Sequence, residues 1–293
     1  MVKAVFPVDP APLPARTVAE ALGVLCGAPK TVTVAGTNGK GSVVALLTAG
    51  LKAMGQVVGT YASPHLLRFN ERISIDEGEA EDAEIVAAFE HIEAARGDVS
   101  LTYFESTTLA ALWLFRQRKV DVQVLEVGLG GRLDAVNILD ADVSVITSIG
   151  LDHVDWLGPD RASISREKAG IARQNRPCIV AESDPPDALL AALNDRGADI
   201  LLIDRDWHIA DRRLQTVGGR NAPLPAASGL LPGVSKDEGD YAPKKSFKTS
   251  MAAGCGDGPS IGRRGGVSGR HRCLRAVAAP DACCWKPSTP LPR

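Results

Sequence analysis

The run 32–42, VTVAGTNGKGS, places Gly36, Gly39 and Gly41 around Lys40, with hydroxyls at Thr37 and Ser42. Glycines without side chains let backbone N–H groups approach an anion closely. A helix starting there adds its positive end. Lys40 would put a cation on terminal phosphates, and Thr37 and Ser42 could reach phosphate or Mg²⁺. Thr37, Asn38, Gly39, Lys40, Gly41 and Ser42 are therefore the candidate nucleotide-binding residues. The run departs from the general pattern G-x-x-x-x-G-K-[ST]: Val34 stands where that pattern has Gly, and Gly41 follows Lys40 directly. The plainer alternative is a Gly-rich turn between a strand and a helix.

Other polar residues follow apolar runs. Glu126 closes the run 121–127, DVQVLEV, before a Gly-rich turn. Such a carboxylate suits Mg²⁺, which takes hard oxygen ligands and keeps some waters; it could equally accept loop amides. Ser63 follows 57–62 and by itself reads as a turn cap. His153 follows 142–149; a lone imidazole is usually structural or exposed, and Mg²⁺ rarely takes one. Lys168 falls on a predicted helix and reads as a solvated lysine. Phe104 or Tyr103 could stack on a flat heterocycle and Asp134 could accept its N–H groups, or the rings simply pack and Asp134 sits in a turn. Arg68, Asn70, Glu71 and Arg72 form a polar cluster that reads as a solvated loop.

The elements that must position these residues alternate. Strands are expected at 31–35, 57–62, 121–127, 142–149, 178–182 and 199–204. Helices are expected around 17–26, at 42–54 (buried), 79–95, 107–118 and 161–173, and near 186–194. Near-continuous apolar strands alternating with helices predict an α/β fold with a mostly parallel sheet covered on both faces. Ligands of such sheets bind at the carboxyl ends of the strands, where these polar residues fall.

The chain has 293 residues, 45% hydrophobic and 23% charged, and no apolar run long enough to span a membrane. It shows no signal peptide, so the cytoplasm is the expected location, with reduced cysteines. The net charge of −2 hides a split: residues 213–293 hold 13 Lys and Arg against 5 Asp and Glu, and residues 1–212 hold 20 against 30. The basic segment also holds 12 Gly and 9 Pro in 81 residues. Few apolar residues and no alternation read there as a disordered tail. Its scattered charges do not make a nucleic-acid arm. The spacing of His271, Cys273, Cys283 and Cys284 matches no familiar zinc pattern.

GTNGKGS (36–42) resembles the loop of the Mur-ligase superfamily, and within it the bacterial folylpolyglutamate synthase/dihydrofolate synthase family. The resemblance continues in order through ASPHLLRFNERI (62–73), LTYFE (101–105), LEVGLGGRLDAVN (125–137), ITSIGLDHVDWLG (146–158) and REKAGI (166–171), covering about 30–212. It implies a central ATP-binding domain of the P-loop NTPase-like type over 1–204. It implies Ser63 and Glu126 as Mg²⁺ ligands, His153 on a second Mg²⁺, and Lys168 as a carbamylated lysine that joins Lys40 in catalysis. Thr102, Phe104, Leu133 and Asp134 are implied to bind the pteridine substrate. The implied reaction uses ATP to join L-glutamate to dihydropteroate or folates through an acyl phosphate. A monomer is expected, with no nucleic-acid or membrane partner. The family carries a second α/β domain; 205–219 resembles its opening, and the resemblance stops where the composition shifts. A shifted frame or truncation giving an aberrant segment 220–293 is the expectation. Another Mur-type amino-acid ligase and a non-catalytic nucleotide-binding fragment stand as alternatives.

Overall fold

A computed structural model describes residues 14–25, 29–76, 78–210, 213–216 and 221–223. The apolar runs pair as anticipated. β1 (Lys30–Ala35) lies between β5 (Val122–Glu126) and β6 (Val143–Ile146), parallel to both. β2 (Val58–Tyr61) extends the parallel sheet beyond β5, and β7 (Pro177–Val180) and β8 (Asp199–Leu202) extend it beyond β6. On the far side of β2 an antiparallel pair, β3 (Ile73–Ile75) and β4 (Gly78–Glu79), completes the order β4-β3-β2-β5-β1-β6-β7-β8. That hairpin was not anticipated. It lies just past the polar cluster, and its strands are too short to show a period.

All residues of β2, β5 and β6 are buried, as strands covered on both faces must be. One face packs against α1 (Pro14–Ala21), α3 (Asp82–Arg96), α4 (Tyr103–Gln117), α6 (Arg161–Ala169) and α7 (Asp187–Asp195). The other is a valine layer (Val32, Val34, Val58, Val122, Val124, Val143 and Val145) under Val44 and Leu51 of α2 (Lys40–Ala53).

Several expectations need correction. α2 begins at Lys40, and it is not buried all round: Leu46 and the capping Met54 are about half exposed. Among the described residues it packs on that face by one stripe only. α3 begins at Asp82 with Glu81 and Glu84 in a reciprocal cap, while Glu79 belongs to β4. Val86 points outward, whereas Ile85, Ala88 and Ile92 point in. α4 begins at Tyr103, four residues before the expected start, because Thr102 and Glu105 form a capping box. α6 stops at Ala169 and α1 covers 14–21.

A second compact unit spans 203–269. Its described strands, β9 (Trp207–Ala210), β10 (Arg213–Thr216) and β11 (Asn221–Pro223), form an antiparallel sheet in the order β11-β10-β9. The rest of the segment read as a tail, and its His271 and three of its cysteines considered as metal ligands, lie outside the described residues. Cys178 is buried and unbridged, and burial pushes its thiol up to about 11. Among the described residues no helix is long and apolar enough to cross a membrane.

Candidate functional site

The carboxyl ends of β1, β2, β5 and β6 form one edge, and the loop 36–39 leaves β1 there. Its shape depends on glycine. Gly36 has φ +152°, and a Cβ there would lie 1.8 Å from Thr147 Oγ1. Gly39 has φ +82° and caps α2, so no side chain occupies the first N–H groups of that helix. The segment after β6 holds the loop. Thr37 N–H donates to Ser148 O at 2.9 Å, and Asn38 N–H to Ser148 Oγ at 3.0 Å. Thr147 Oγ1 donates to Asn38 O at 2.6 Å, and Thr37 Oγ1 accepts from Gly150 N–H at 3.0 Å. The Lys40 ammonium donates to Gly36 O and Thr37 O at 3.0 and 3.3 Å. Asn38, Gly39, Gly41 and Ser42 are exposed, which leaves the Ser42 hydroxyl and the start of α2 open to a ligand, while the Asn38 N–H is taken by Ser148.

Glu126 ends β5 opposite Val34 and is buried. Its Oε2 accepts the Ser63 N–H at 3.2 Å and lies 3.8 Å from where a Cβ on Gly41 would sit. Burial raises its pKa, opposed by the Ser63 N–H and by the charge of Lys40. The loop lysine, Glu126 and Ser63 thus meet from three strands. Among the described residues no group of three or more His, Cys, Asp or Glu could hold a metal ion. A carboxylate and a serine beside a phosphate-type loop fit Mg²⁺, which takes one or two protein oxygens and completes its shell with phosphate and water.

Lys168 corrects the reading of a solvated lysine. It is 3% exposed. Burial pushes its amine down to about 8, the charge of Lys40 acts in the same direction, and Asp152 opposes both. The loop after β5 presses on the end of α6 to create this burial. A Cβ on Gly131 would lie 2.8 Å from Glu167 O and 3.2 Å from Lys168 Cα; one on Gly170 would lie 2.4 Å from Arg132 Cα. Arg132 N–H donates to Glu167 O at 2.8 Å, and its guanidinium forks onto Glu167 Oε1 at 3.0 and 2.9 Å. The Asn137 amide donates to Arg132 O and Gly170 O, both at 3.1 Å. The glycines of GLGGR and REKAG are close-approach positions.

The residues proposed for the pteridine are already engaged within the protein. Thr102 Oγ1 accepts from Glu105 N–H and donates to Glu105 Oε2 as the cap of α4. Phe104 packs inward: a Cβ on Gly128 would meet its ring at 2.5 Å, and Tyr61 lies 5.9 Å away. Tyr103, its neighbour, is the exposed ring. Leu133 is half-buried. Asp134 is buried and accepts Leu129 N–H at 2.8 Å and Val136 N–H at 3.0 Å. Burial pushes its carboxyl up to about 6 against those donors. His153 caps the short helix α5 (Val154–Leu157) with φ +48°, and its Nε2 lies 3.6 Å from Asp152 Oδ1. Its side chain is half exposed, and its described contacts do not reach Glu126 or Ser63.

The polar cluster 68–72 is not a solvated loop. Glu71 accepts the N–H groups of Leu66, Leu67 and Arg68, and Asn70 is buried on Ala80 O and Asp82. Reading the sequence missed Thr147, Ser148, Asp152 and Asn137. Only Thr147 and Ser148 carried a signal, two hydroxyls near the carboxyl end of the run 142–149.

A family model described as the Mur ligase middle domain matches residues 34–218. The dihydrofolate synthase/folylpolyglutamate synthase of Escherichia coli (strain K12) is 51% identical over 217 residues, 71% of this chain and 51% of its own length. The structure of E. coli FolC in complex with DHPP and ADP superposes with a TM-score of 0.70 at 50% identity, covering 75% of this chain and 53% of that one. A bifunctional folylpolyglutamate synthase/dihydrofolate synthase with Mn, AMPPNP and L-glutamate bound gives a TM-score of 0.68 at 52% identity, over 71% and 52% of the two chains. The chain spans about half the length of these relatives.

Proposed function

Because the chain belongs to the Mur ligase middle-domain family, we propose that it is the nucleotide-binding half of an ATP-dependent amide ligase. The ligase would join L-glutamate to dihydropteroate or to a folate through an acyl phosphate. The observation that carries this reading is the meeting of Lys40, Glu126 and Ser63 at one sheet edge, with Lys168 buried within reach of Lys40's charge.

The loop N–H groups and the first turn of α2 would cradle the phosphates, and Lys40 would turn from the loop carbonyls to the terminal phosphate. Glu126 and Ser63 are the residues that would hold Mg²⁺, with His153 toward a second ion. Bound there, the metal would neutralise charge on the phosphate oxygens. A substrate carboxylate oxygen attacks the γ-phosphorus and ADP leaves. The amino nitrogen of L-glutamate then attacks the acyl carbon, phosphate leaves, and the nitrogen gives up a proton. Positioning and electrostatics supply the rate.

Lys168 suits carbamylation. The neutral amine adds to CO₂, gives a carbamate and releases one proton. A pKa of about 8 in place of 10.5 raises the neutral share at pH 7.5 from about one in a thousand to about a quarter. The carbamate would be an anion within reach of the charge of Lys40. Thr102, Phe104, Leu133 and Asp134 would then frame the pteridine by their backbone and ring edges, their polar side-chain atoms being engaged. Residues 205–219 would open the second ligase domain, and an enzyme drawing on ATP and free glutamate fits a cytoplasmic setting.

The test is phosphate release by the purified chain with Mg-ATP, dihydropteroate and L-glutamate, omitting each in turn. Release that requires both co-substrates supports the proposal. Binding of Mg-ATP without release gives the alternative, a nucleotide-binding fragment.

A further inference from the structure

Arg72 is a buried cation that the site above does not use. It is 9% exposed. Its Nε donates to His65 Nδ1 at 2.8 Å, and its guanidinium lies over the Tyr103 ring, 5.6 Å from the centroid. Among the described residues no carboxylate pairs with it, and its two terminal nitrogens, which no protein acceptor takes, are not sealed from solvent. The nearby acids serve other groups: Glu71 holds three loop N–H groups, and Asp82 is shared by Asn70 and Arg68. A guanidinium tied at Nε, with its outer edge open to solvent, is placed to take an anion on that edge. Its planar fork matches a carboxylate.

Its place says which anion. Arg72 O accepts Ala62 N–H at 2.9 Å, which sets Arg72 beside Ser63, the residue whose N–H meets Glu126. Tyr103 stands between Thr102 and Phe104 and is 61% exposed, with Phe69 against its edge at 6.3 Å. A cation beside the metal-binding edge and an open aromatic ring next to it fit an aromatic acid, ring on Tyr103 and carboxylate on Arg72.

We infer that Arg72 receives the carboxylate end of the acid substrate, with the exposed side of Tyr103 as the platform for the ring that bears it. This rests on the proposed ligase reading and adds a specificity-determining residue to it. Arg72 would hold the carboxylate at the sheet edge and offset its repulsion from the nucleotide phosphates.

The experiment is calorimetric titration of the full chain with pteroate, with pteroate carboxamide and with Mg-ADP. The wild-type chain should prefer pteroate over the carboxamide by about 10- to 100-fold. Arg72→Gln should reduce that preference to about 3-fold or less, by weakening pteroate and not the carboxamide. Arg72→Lys, which keeps the charge without the fork, should fall between. Circular dichroism and carboxamide binding report that each variant is folded. Equal binding of pteroate and its carboxamide by the wild type would leave the ligase reading standing and overturn the role of Arg72. Binding of neither would overturn the acid-substrate reading, and this assignment with it. A preference that survives in Arg72→Gln, with the loss falling on Mg-ADP, would give the guanidinium to the nucleotide and also overturn it.

Discussion

Lys168→Met removes a buried amine and leaves a side chain of similar length. Burial holds the folded-state pKa of Lys168 at about 8, against 10.5 for a solvated lysine. Between those two values the unfolded chain carries a proton that the folded chain lacks, so stability rises with pH across this window. Below pH 8 both forms are protonated, and the folded chain bears the full cost. The difference of about 2.5 pKa units corresponds to about 3 kcal/mol. The assay is urea unfolding of both chains from pH 6.5 to 10.5 in CO₂-free buffer. Lys168→Met should be more stable than the wild type by up to about 3 kcal/mol at pH 7, and the gap should close as pH passes 8 toward 10.5. Adding ¹³C-bicarbonate near pH 8 should give the wild type alone a carbamate signal. A gap that does not change with pH, or a carbamate signal that persists in Lys168→Met, would refute the reasoning.

Glu126→Gln removes a buried charge that its surroundings resist. The melting temperature should rise by a few degrees while ATP affinity loses its dependence on Mg²⁺; thermal melts and calorimetry with and without Mg²⁺ check both. For Asp134 the folded pKa is about 6 against 3.8, so the folded chain holds the proton longer and stability falls as pH rises from about 4 to 6. Relative to Asp134→Asn, the wild type should lose about 2 kcal/mol between pH 4 and 7 in urea unfolding. Gly170→Ala puts a Cβ 2.4 Å from Arg132 Cα, inside backbone that cannot yield cheaply. It should cost about 1–3 kcal/mol and lower the melting temperature in scanning calorimetry.

The sequence made the parallel sheet legible because strands covered on both faces keep an apolar run whatever their length. β1, β5 and β6 were found this way, and the loop after β1 was found from its glycines and Lys40. Elements whose signal is short or shared were missed. The β3–β4 hairpin pairs three residues with two. The start of α4 is written in the T-x-x-E spacing of Thr102 and Glu105, but the resemblance assigns Thr102 to the substrate instead. Lys168 could be recognised only by resemblance, since its burial comes from Gly131 and Arg132 packing on the end of α6, a contact between segments 35 residues apart. Arg72 gave no signal either: an arginine in FNER looks solvated until the fold shows it largely covered and held on His65.

The central claim is ligation through an acyl phosphate at the edge shared by Lys40, Glu126 and Lys168. Dihydropteroate labelled with ¹⁸O in both carboxylate oxygens tests it directly, because attack on the γ-phosphate carries one carboxylate oxygen into the phosphate. With Mg-ATP and L-glutamate, the account predicts one ¹⁸O in each phosphate released and one retained in each amide formed. Unlabelled phosphate, or a folded chain that binds Mg-ATP and forms no amide, would contradict it.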